Sequence, residues 1–162
     1  SVYVMQGELS NQAAVQRTQN YTDVVNEGLC AVKVNVIDQQ TANWSRDQAQ
    51  SLMTNWLSTG AAFDGVLANN DEMALGAIQS LKANGFSMDK VVVAGVDGTR
   101  DALTALKAGD LDITVFQNGP GQGKLALDVL LKLIKKENVE RKNFVPFELV
   151  TKENLDKYLG AK

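Results

Sequence analysis

The sequence contains no histidine, and this absence excludes more chemistry than any other feature of its composition. Histidine is the usual general base and the commonest metal ligand, so Ser-His-Asp triads and His-ligated metal sites are excluded. An enzyme would have to rely on carboxylates such as Asp71, Glu72 and Asp97. Acidic side chains at the start of a helix are expected from the helix dipole alone. We therefore predict no catalytic residues and no enzymatic activity.

Cysteine, proline and long apolar runs are also scarce. The single cysteine, Cys30, can form no intrachain disulfide and no thiolate metal cage, and the apolar run after it predicts a core thiol. We predict neither a cofactor nor a bound metal. No run approaches the ~18–20 apolar residues of a membrane span, and no basic-then-apolar leader is present. The chain opens directly in a strand pattern, so we expect a processed product or a piece of something longer.

Charge of one sign is not concentrated anywhere. Sixteen Lys and Arg stand against nineteen Asp and Glu, for a net charge of −3, which makes nucleic acid and anionic membranes poor candidate partners. The chain has 162 residues, 44% of them hydrophobic. That length suits one domain or slightly more, with roughly 68–70% of the unfolded surface buried on folding.

Short β-rich runs alternate with helical patterns, which is typical of a parallel sheet covered by helices. The predicted strands are Val2–Met5, Ala31–Ile37, Gly65–Ala68, Val91–Val96, Asp112–Phe116 and Phe147–Val150. The predicted helices are Asn11–Glu27, Ser45–Thr59, Asp71–Asn84, Arg100–Ala108, Gly121–Lys136 and Lys152–Leu159. We predict an α/β fold of three layers, with a mostly parallel, flavodoxin-like sheet and helices on both faces.

Three local signals sharpen this prediction. Ser45 and Gln48 form a capping box before an amphipathic helix that contains Trp56, which we expect to lie in the core. Gly85 is suited to a left-handed turn after the third long helix. Between residues 125 and 134 only Asp128 and Lys132 are polar, so this helix requires partners on more than one side.

Ligands of open parallel sheets bind beyond the carboxyl ends of the strands. The loops there contain carboxylate, amide and indole side chains, and Arg17 lies early in the first helix. Such groups can bind adjacent hydroxyls and cover a ring face, which suits a neutral sugar or cyclitol better than phosphate. Each residue also has a plainer interpretation: Asp97 and Asn70 as helix caps or turn formers, Arg17 as a solvated arginine, Trp44 as a loop-packing aromatic.

Several separated motifs together resemble the periplasmic sugar-binding proteins of the ribose and galactose type. They include residues 68–77, ANNDEMALGA, residues 94–99, AGVDGT, residues 41–44, TANW, and residues 114–117, TVFQ. The resemblance implies that Arg17, Trp44, Asn70, Asp97 and Gln117 bind the ligand. By analogy Trp44 stacks on a ring face, while Arg17 and Asp97 bracket neighbouring hydroxyls. The tryptophan at position 44 resembles the galactose-binding branch of the family, and the glutamine at position 117 resembles the ribose-binding branch. The run TANWSR resembles binders of inositol or related polyols.

The resemblance covers only the carboxy-terminal half of such proteins. It implies a sugar-binding lobe over residues 1–118, a crossover segment and helix over 119–146 that pack on an amino-terminal lobe, and a returning strand and helix over 147–162. We therefore expect weak sugar binding by this half alone. The helix at 121–136 is expected to fold back or to join a second copy in a dimer.

The function implied is that of the solute-binding component of a carbohydrate ABC transporter, which binds a monosaccharide or cyclitol such as ribose, galactose or inositol outside the cytoplasm and delivers it to permease subunits. The alternative is the effector-binding domain of a lactose-repressor-type regulator, which shares the fold. The NDEMALG run at residues 70–76 favours the transport branch.

Overall fold

The computed structural model describes residues 1–29, 31 and 33–160. Six strands and six α-helices alternate along the chain. They are β1 Val2–Gln6, α1 Gln12–Asn26, β2 Val36–Thr41, α2 Arg46–Ser58, β3 Gly65–Ala68, α3 Asp71–Ala83, β4 Val92–Ala94, α4 Arg100–Ala108, β5 Thr114–Phe116, α5 Gly119–Ile134, β6 Glu148–Val150 and α6 Asp156–Leu159. A 3-10 turn at Met88–Lys90 precedes β4. Cys30, predicted as a core thiol, lies outside the described residues.

The main sheet is parallel, in the order β2-β1-β3-β4. Isolated parallel bridges, Ala94 to Ile113 and Asp97 to Phe116, continue it to β5, and β6 pairs antiparallel with β5. The chain order reverses direction at β1, because β2 lies on one side of β1 while β3, β4 and β5 follow on the other. With right-handed crossovers, α1 covers one face of the sheet and α2, α3 and α4 cover the opposite face. The predicted α/β architecture is confirmed.

The core lies between the sheet and helices α2 to α4. Met5, Met53, Met73 and Leu81 are fully buried there. Trp56 is buried as predicted: its ring stacks on Tyr3 at 4.4 Å between centroids, and its indole N–H donates to Asp38 at 2.7 Å. The polar edge of the indole is therefore satisfied while its apolar body is removed from water.

Side-chain caps define where the helices begin at the ligand-facing edge of the sheet. The Ser45 side chain accepts a hydrogen bond from the Gln48 backbone amide, which is one half of the predicted capping box. The reciprocal bond is not formed, because the Gln48 side chain accepts from Asn43 instead. Asn70 caps α3 by accepting from the Met73 amide, and Thr99 caps α4 by accepting from the Ala102 amide. Gly85 has φ +77°, the left-handed conformation predicted for it.

The largest error in the predicted boundaries is at β2. The strand predicted at Ala31–Ile37 instead runs over Val36–Thr41, so Asp38–Thr41, expected in a loop, are in the sheet; residue 32 lies outside the described part. Pairing with β1, from Val2 opposite Val36 to Gln6 opposite Thr41, determines the position of β2. An edge strand tolerates polar residues, so hydrophobicity alone was misleading. The predicted starts of β5, β6 and α6 are too early by two, one and four residues. The predicted β4 is one residue too long at its start and two residues too long at its end.

Among the long helices of the described residues, α5 alone has no buried residue. It begins at Gly119, two residues before the predicted start, with Pro120 in its first turn, where the missing N–H costs nothing. Its exposed side chains include Leu127, Leu130, Leu131, Leu133 and Ile134, which we call the apolar surface of α5. Within residues 1–29, 31 and 33–160, no helix has both the length and the apolar character needed to cross a membrane.

Helices α2 and α3 approach each other closely at Gly76, and this contact gives a first prediction. A Cβ at Gly76 would overlap the Arg46 carbonyl oxygen and lie 2.9 Å from the Ala49 Cβ. We expect Gly76→Ala to lower the free energy of unfolding by about 2 kcal/mol, as overpacking does, despite the better helix propensity of alanine. Urea denaturation measures this.

The matched control is Gly123→Ala in α5, where an added Cβ meets nothing within 4 Å. Helix propensity alone acts there, so the change should be neutral or stabilising by up to about 1 kcal/mol. Equal effects of the two substitutions would contradict the close approach of α2 and α3.

Candidate ligand-binding site

Arg17, on α1, joins the ends of three strands. One terminal nitrogen of its guanidinium donates to the Asn69 carbonyl oxygen at 2.7 Å, and the other donates to the Gln117 side-chain oxygen at 3.0 Å. Asp97 lies 3.9 Å from the same group. Because β3, β4 and β5 are parallel, the residues that follow them meet at one edge. The structure therefore brings Arg17, Asp97 and Gln117 together, as the sequence predicts.

Trp44 lies against the same guanidinium, whose central carbon is 5.7 Å from the indole ring. The backbone of the loop before α2 is left-handed at Asn43, with φ 51°, and at Trp44, with φ 63°. Gly7 makes room for the indole, because a Cβ there would overlap the ring. Trp44 as a whole remains partly exposed. We call Arg17, Trp44, Asn69, Asp97 and Gln117 the Arg17 cluster.

Asn70, the fifth predicted ligand residue, has a different position. Its side-chain oxygen accepts from the Met73 amide at 3.0 Å, so the cap interpretation is confirmed. The residue is buried, one position beyond the carbonyl that Arg17 binds. The oxygen accepts one bond from the helix, so the amide N–H groups and the second lone pair of that oxygen are what Asn70 can offer a ligand. Its ligand-binding role stays a prediction.

Asp97 carries the unusual electrostatics of the site. The pKa of its carboxyl group is raised from 3.8 to about 6, first by burial and second by the charge of the neighbouring Asp71; Arg17 opposes this rise, and Glu72 adds to it. The carboxylate is therefore an ionised acceptor above neutral pH and gains a proton in mild acid. Asp97 caps no helix, because Thr99 caps α4, so the cap interpretation of Asp97 is wrong.

Two buried residues of the site were not predicted. Asn69 accepts from the Gly7 amide at 3.1 Å and from the Thr18 hydroxyl at 3.2 Å. Among the described residues, its side-chain nitrogen has no hydrogen-bond partner although it is buried. Asp71 begins α3, where a carboxylate suits the dipole, but it is fully buried and binds the Thr99 amide and the Thr114 hydroxyl. Nothing in the sequence distinguishes such an interior carboxylate from a surface one.

The resulting chemistry is that of hydroxyl recognition. Arg17 donates only and ionised Asp97 accepts only, so together they can bracket two neighbouring hydroxyls. Gln117 adds an amide, and Trp44 adds a flat apolar surface. The described part of the cluster has one cation and no glycine-rich phosphate cradle, which suits a neutral ligand.

Comparison with known proteins agrees with this chemistry. A family model described as a periplasmic binding protein domain matches residues 1–138. The chain belongs to this family. The periplasmic binding protein domain is 57% identical to a putative rhizopine-binding protein of Rhizobium meliloti, over 97% of this chain and 50% of the relative. It is 36% identical to the xylitol-binding protein of Mycolicibacterium smegmatis, over 96% of this chain and 44% of the relative.

A solved structure extends the likeness to the fold. An ABC transporter solute binding protein from Bacillus halodurans with bound myo-inositol superposes with a TM-score of 0.88 at 43% identity, over 98% of this chain and 53% of that one. The chain thus spans about half the length of the relatives it matches. Its fold is one lobe of the periplasmic binding protein domain.

The raised pKa of Asp97 predicts an effect on stability. Because folding raises the pKa of Asp97, the folded state binds the proton more tightly than the unfolded state does. The resulting stabilisation is fully present below the ordinary pKa of 3.8 and is lost as the pH rises through about 6. Asp97→Asn should therefore raise the free energy of unfolding at pH 8, by about 1 kcal/mol after solvent screening is discounted. The difference should vanish at pH 4.

Urea denaturation at both pH values measures this, with Asp47→Asn as the control. Asp47 is exposed in the first turn of α2, where a carboxylate is favourable, so its removal should be neutral or slightly destabilising at pH 8. A clearly less stable Asp97→Asn protein at pH 8 would contradict the electrostatic description of the site.

Proposed function

We propose that this chain is the carboxy-terminal lobe of a solute-binding protein of a carbohydrate ABC transporter, and that the protein works outside the cytoplasm without catalysing a reaction. The residues proposed to bind a neutral sugar or cyclitol are Arg17, Trp44, Asn70, Asp97 and Gln117. The observation that carries the proposal is the arginine shared by a carboxylate, an amide and an indole at the carboxyl edge of the sheet. Family membership supports it.

The ligand class follows from the donors and acceptors. A vicinal diol presents two oxygens, one of which can accept from Arg17 while the other donates to Asp97. The indole of Trp44 then covers the C–H face of the same ring. The name of one relative includes xylitol, and the superposed structure contains myo-inositol. Both compounds are uncharged polyols. We take myo-inositol as the first ligand to test, with D-ribose and xylitol beside it.

The site is one half of a cleft in this proposal. The Arg17 and Asp97 side chains remain 18% and 30% exposed, so each keeps some surface that a ligand can reach. A second lobe that covers the ligand would remove both from water and strengthen each hydrogen bond. Residues 1–118 and 147–162 form the sugar-binding lobe in this view, and residues 119–146 pack on an amino-terminal lobe. The unburied helix α5 supports that division.

Delivery to permease subunits is the part of the proposal that relies most on relatives. The superposed structure is named as an ABC transporter component, and the chain matches about half of it. A two-lobed protein that closes on a sugar gives the permease a shape to distinguish from the empty form. Cytoplasmic regulators of the same fold lack this partner, so co-purification with permease subunits separates the two functions.

Calorimetry on the two-lobed protein with myo-inositol tests the ligand class. Arg17→Gln removes a charged donor from a site where such a bond contributes about 2–3 kcal/mol, so affinity should fall roughly thirty- to a hundredfold. The control, Arg100→Gln, removes an exposed arginine at the start of α4 and should leave affinity within about threefold.

The isolated 162-residue chain provides the second half of this test. Because only one face of the ligand is covered, it should bind myo-inositol, xylitol and ribose no better than millimolar. Submillimolar affinity in the isolated chain would contradict the half-site, and absence of binding to every polyol by the two-lobed protein would end the proposal.

The apolar surface of α5 gives a prediction about association. Leu127 and Leu131 are 62% and 54% exposed and lie one turn apart, so they share a face. Without an amino-terminal lobe, we expect the chain to dimerise through this surface, and Leu127→Lys with Leu131→Lys should return it to a monomer in sedimentation experiments.

Asp128→Lys is the control, since it alters charge on the same helix but removes no apolar side chain. Its sedimentation should match that of the unaltered chain. A monodisperse monomer of the unaltered chain at high concentration would show that α5 needs no partner.

A further inference from the structure

The turn that carries Asp97 has a backbone that requires support. Asp97 has φ 133° and Gly98 has φ 72°. A residue with a side chain at such an angle costs about 1–3 kcal/mol and persists only where its surroundings enforce it. We call residues Val96 to Thr99 the 96–99 turn. Its outer side is partly held by β5, since the Asp97 amide donates to Val115 at 2.9 Å and the Asp97 carbonyl accepts from Gln117 at 3.0 Å.

Asp71 holds the inner side of the 96–99 turn at both ends. Its backbone N–H donates to the Val96 carbonyl at 2.8 Å, and its carboxylate accepts from the Thr99 amide at 2.7 Å. These two bonds straddle Asp97 and Gly98. One residue of α3 therefore fixes the distance between the two ends of the turn.

Thr114 extends the clamp to β5. Its hydroxyl donates to the other Asp71 oxygen at 2.6 Å and accepts from the Gly98 amide at 3.1 Å. Thr114 is fully buried, as is Asp71. The Thr99 amide is thus bound directly to the Asp71 carboxylate, and the Gly98 amide is bound to it through the Thr114 hydroxyl.

The chain leaves space for this carboxylate at Gly95. A Cβ on Gly95 would lie 2.5 Å from the Asp71 Oδ1 atom and 3.3 Å from the Ala74 Cβ. Since Asp71 has no exposed surface, a ligand in the cleft cannot touch it. Its effect on binding has to act through the turn.

We propose that Asp71 is the positioning residue for Asp97, and that its clamp on the 96–99 turn holds the Asp97 carboxylate at the angle from which it accepts a ligand hydroxyl beside Arg17. The inference rests on the proposed function, because it assigns Asp97 the role of ligand acceptor.

The clamp also has an electrostatic consequence. Asp97 faces Arg17 from α1 and Asp71 and Glu72 from α3. The negative charge of Asp71 contributes to the rise of the Asp97 pKa to about 6. Removal of that charge should therefore lower the Asp97 pKa, a change that a merely structural residue would not produce.

Asp71→Asn tests both consequences. In the two-lobed protein at pH 8, where Asp97 is ionised with or without the Asp71 charge, calorimetry should show at least a tenfold loss of myo-inositol affinity. In the ligand-free protein, NMR titration of the Asp97 carboxyl should show a lower midpoint than in the unaltered protein. The control is Glu72→Gln, because Glu72 is the next carboxylate in the chain but is bound to Arg46. It should keep affinity within threefold and shift the midpoint much less.

Thr114 provides an independent pair of variants in case Asp71→Asn fails to fold. Thr114→Val removes the hydroxyl that links Asp71 to Gly98 and keeps the shape, so affinity at pH 8 should fall about tenfold. Thr114→Ser keeps the hydroxyl and should bind within threefold of the unaltered protein.

The outcomes separate the two proposals. If the unaltered protein binds no polyol, the proposed function fails, and the Asp97 titration alone decides the electrostatic part of the clamp. If it binds polyols, unchanged affinity in both Asp71→Asn and Thr114→Val overturns the positioning role. An unchanged Asp97 midpoint in Asp71→Asn overturns the electrostatic coupling.

Discussion

The guanidinium of Arg17 is the interaction on which the candidate site depends. It extends from α1 across the sheet edge to the Asn69 carbonyl after β3 and the Gln117 amide after β5, with Asp97 between them and Trp44 against its side. A planar fork with five donors suits this position better than any other side chain, because it can bind several acceptors in fixed directions. The residues that it joins are 52 and 100 positions away in the chain.

The site is built at some expense of stability. Asp97 combines a strained backbone with a carboxyl group whose pKa is raised by burial and by Asp71, and Asn69 leaves a buried amide nitrogen without a partner in the described chain. A strained backbone and a buried polar group without a partner both lower stability, and they persist only where the surrounding structure holds them in place. Burial of neighbouring core residues offsets this loss of stability. These residues include Met5, Met73, Val93 and Leu106.

Burial is uneven among the helices of the molecule. Helices α2, α3 and α4 bury their apolar faces against the sheet, whereas α5 buries none of its residues and exposes its leucines. The proposed second lobe would cover both the partly exposed Arg17 cluster and the exposed leucines of α5. The chain matches about half of each relative.

Residue pattern was sufficient for the alternation of strands and helices, the Ser45 and Asn70 caps, the left-handed Gly85 and the unsatisfied apolar character of α5, because each depends on neighbours within a few positions. The family resemblance then supplied the candidate ligand-binding residues, which are Arg17, Trp44, Asn70, Asp97 and Gln117.

Only the tertiary structure decided where β2 begins, since that depends on pairing with β1, and only it revealed Asn69 and Asp71 as interior members of the site. The sequence shows the same residue, an aspartate at the start of a helix, whether its carboxylate is buried or exposed. What separates them is whether Gly95 and Thr114, 24 and 43 positions further along the chain, are folded against Asp71.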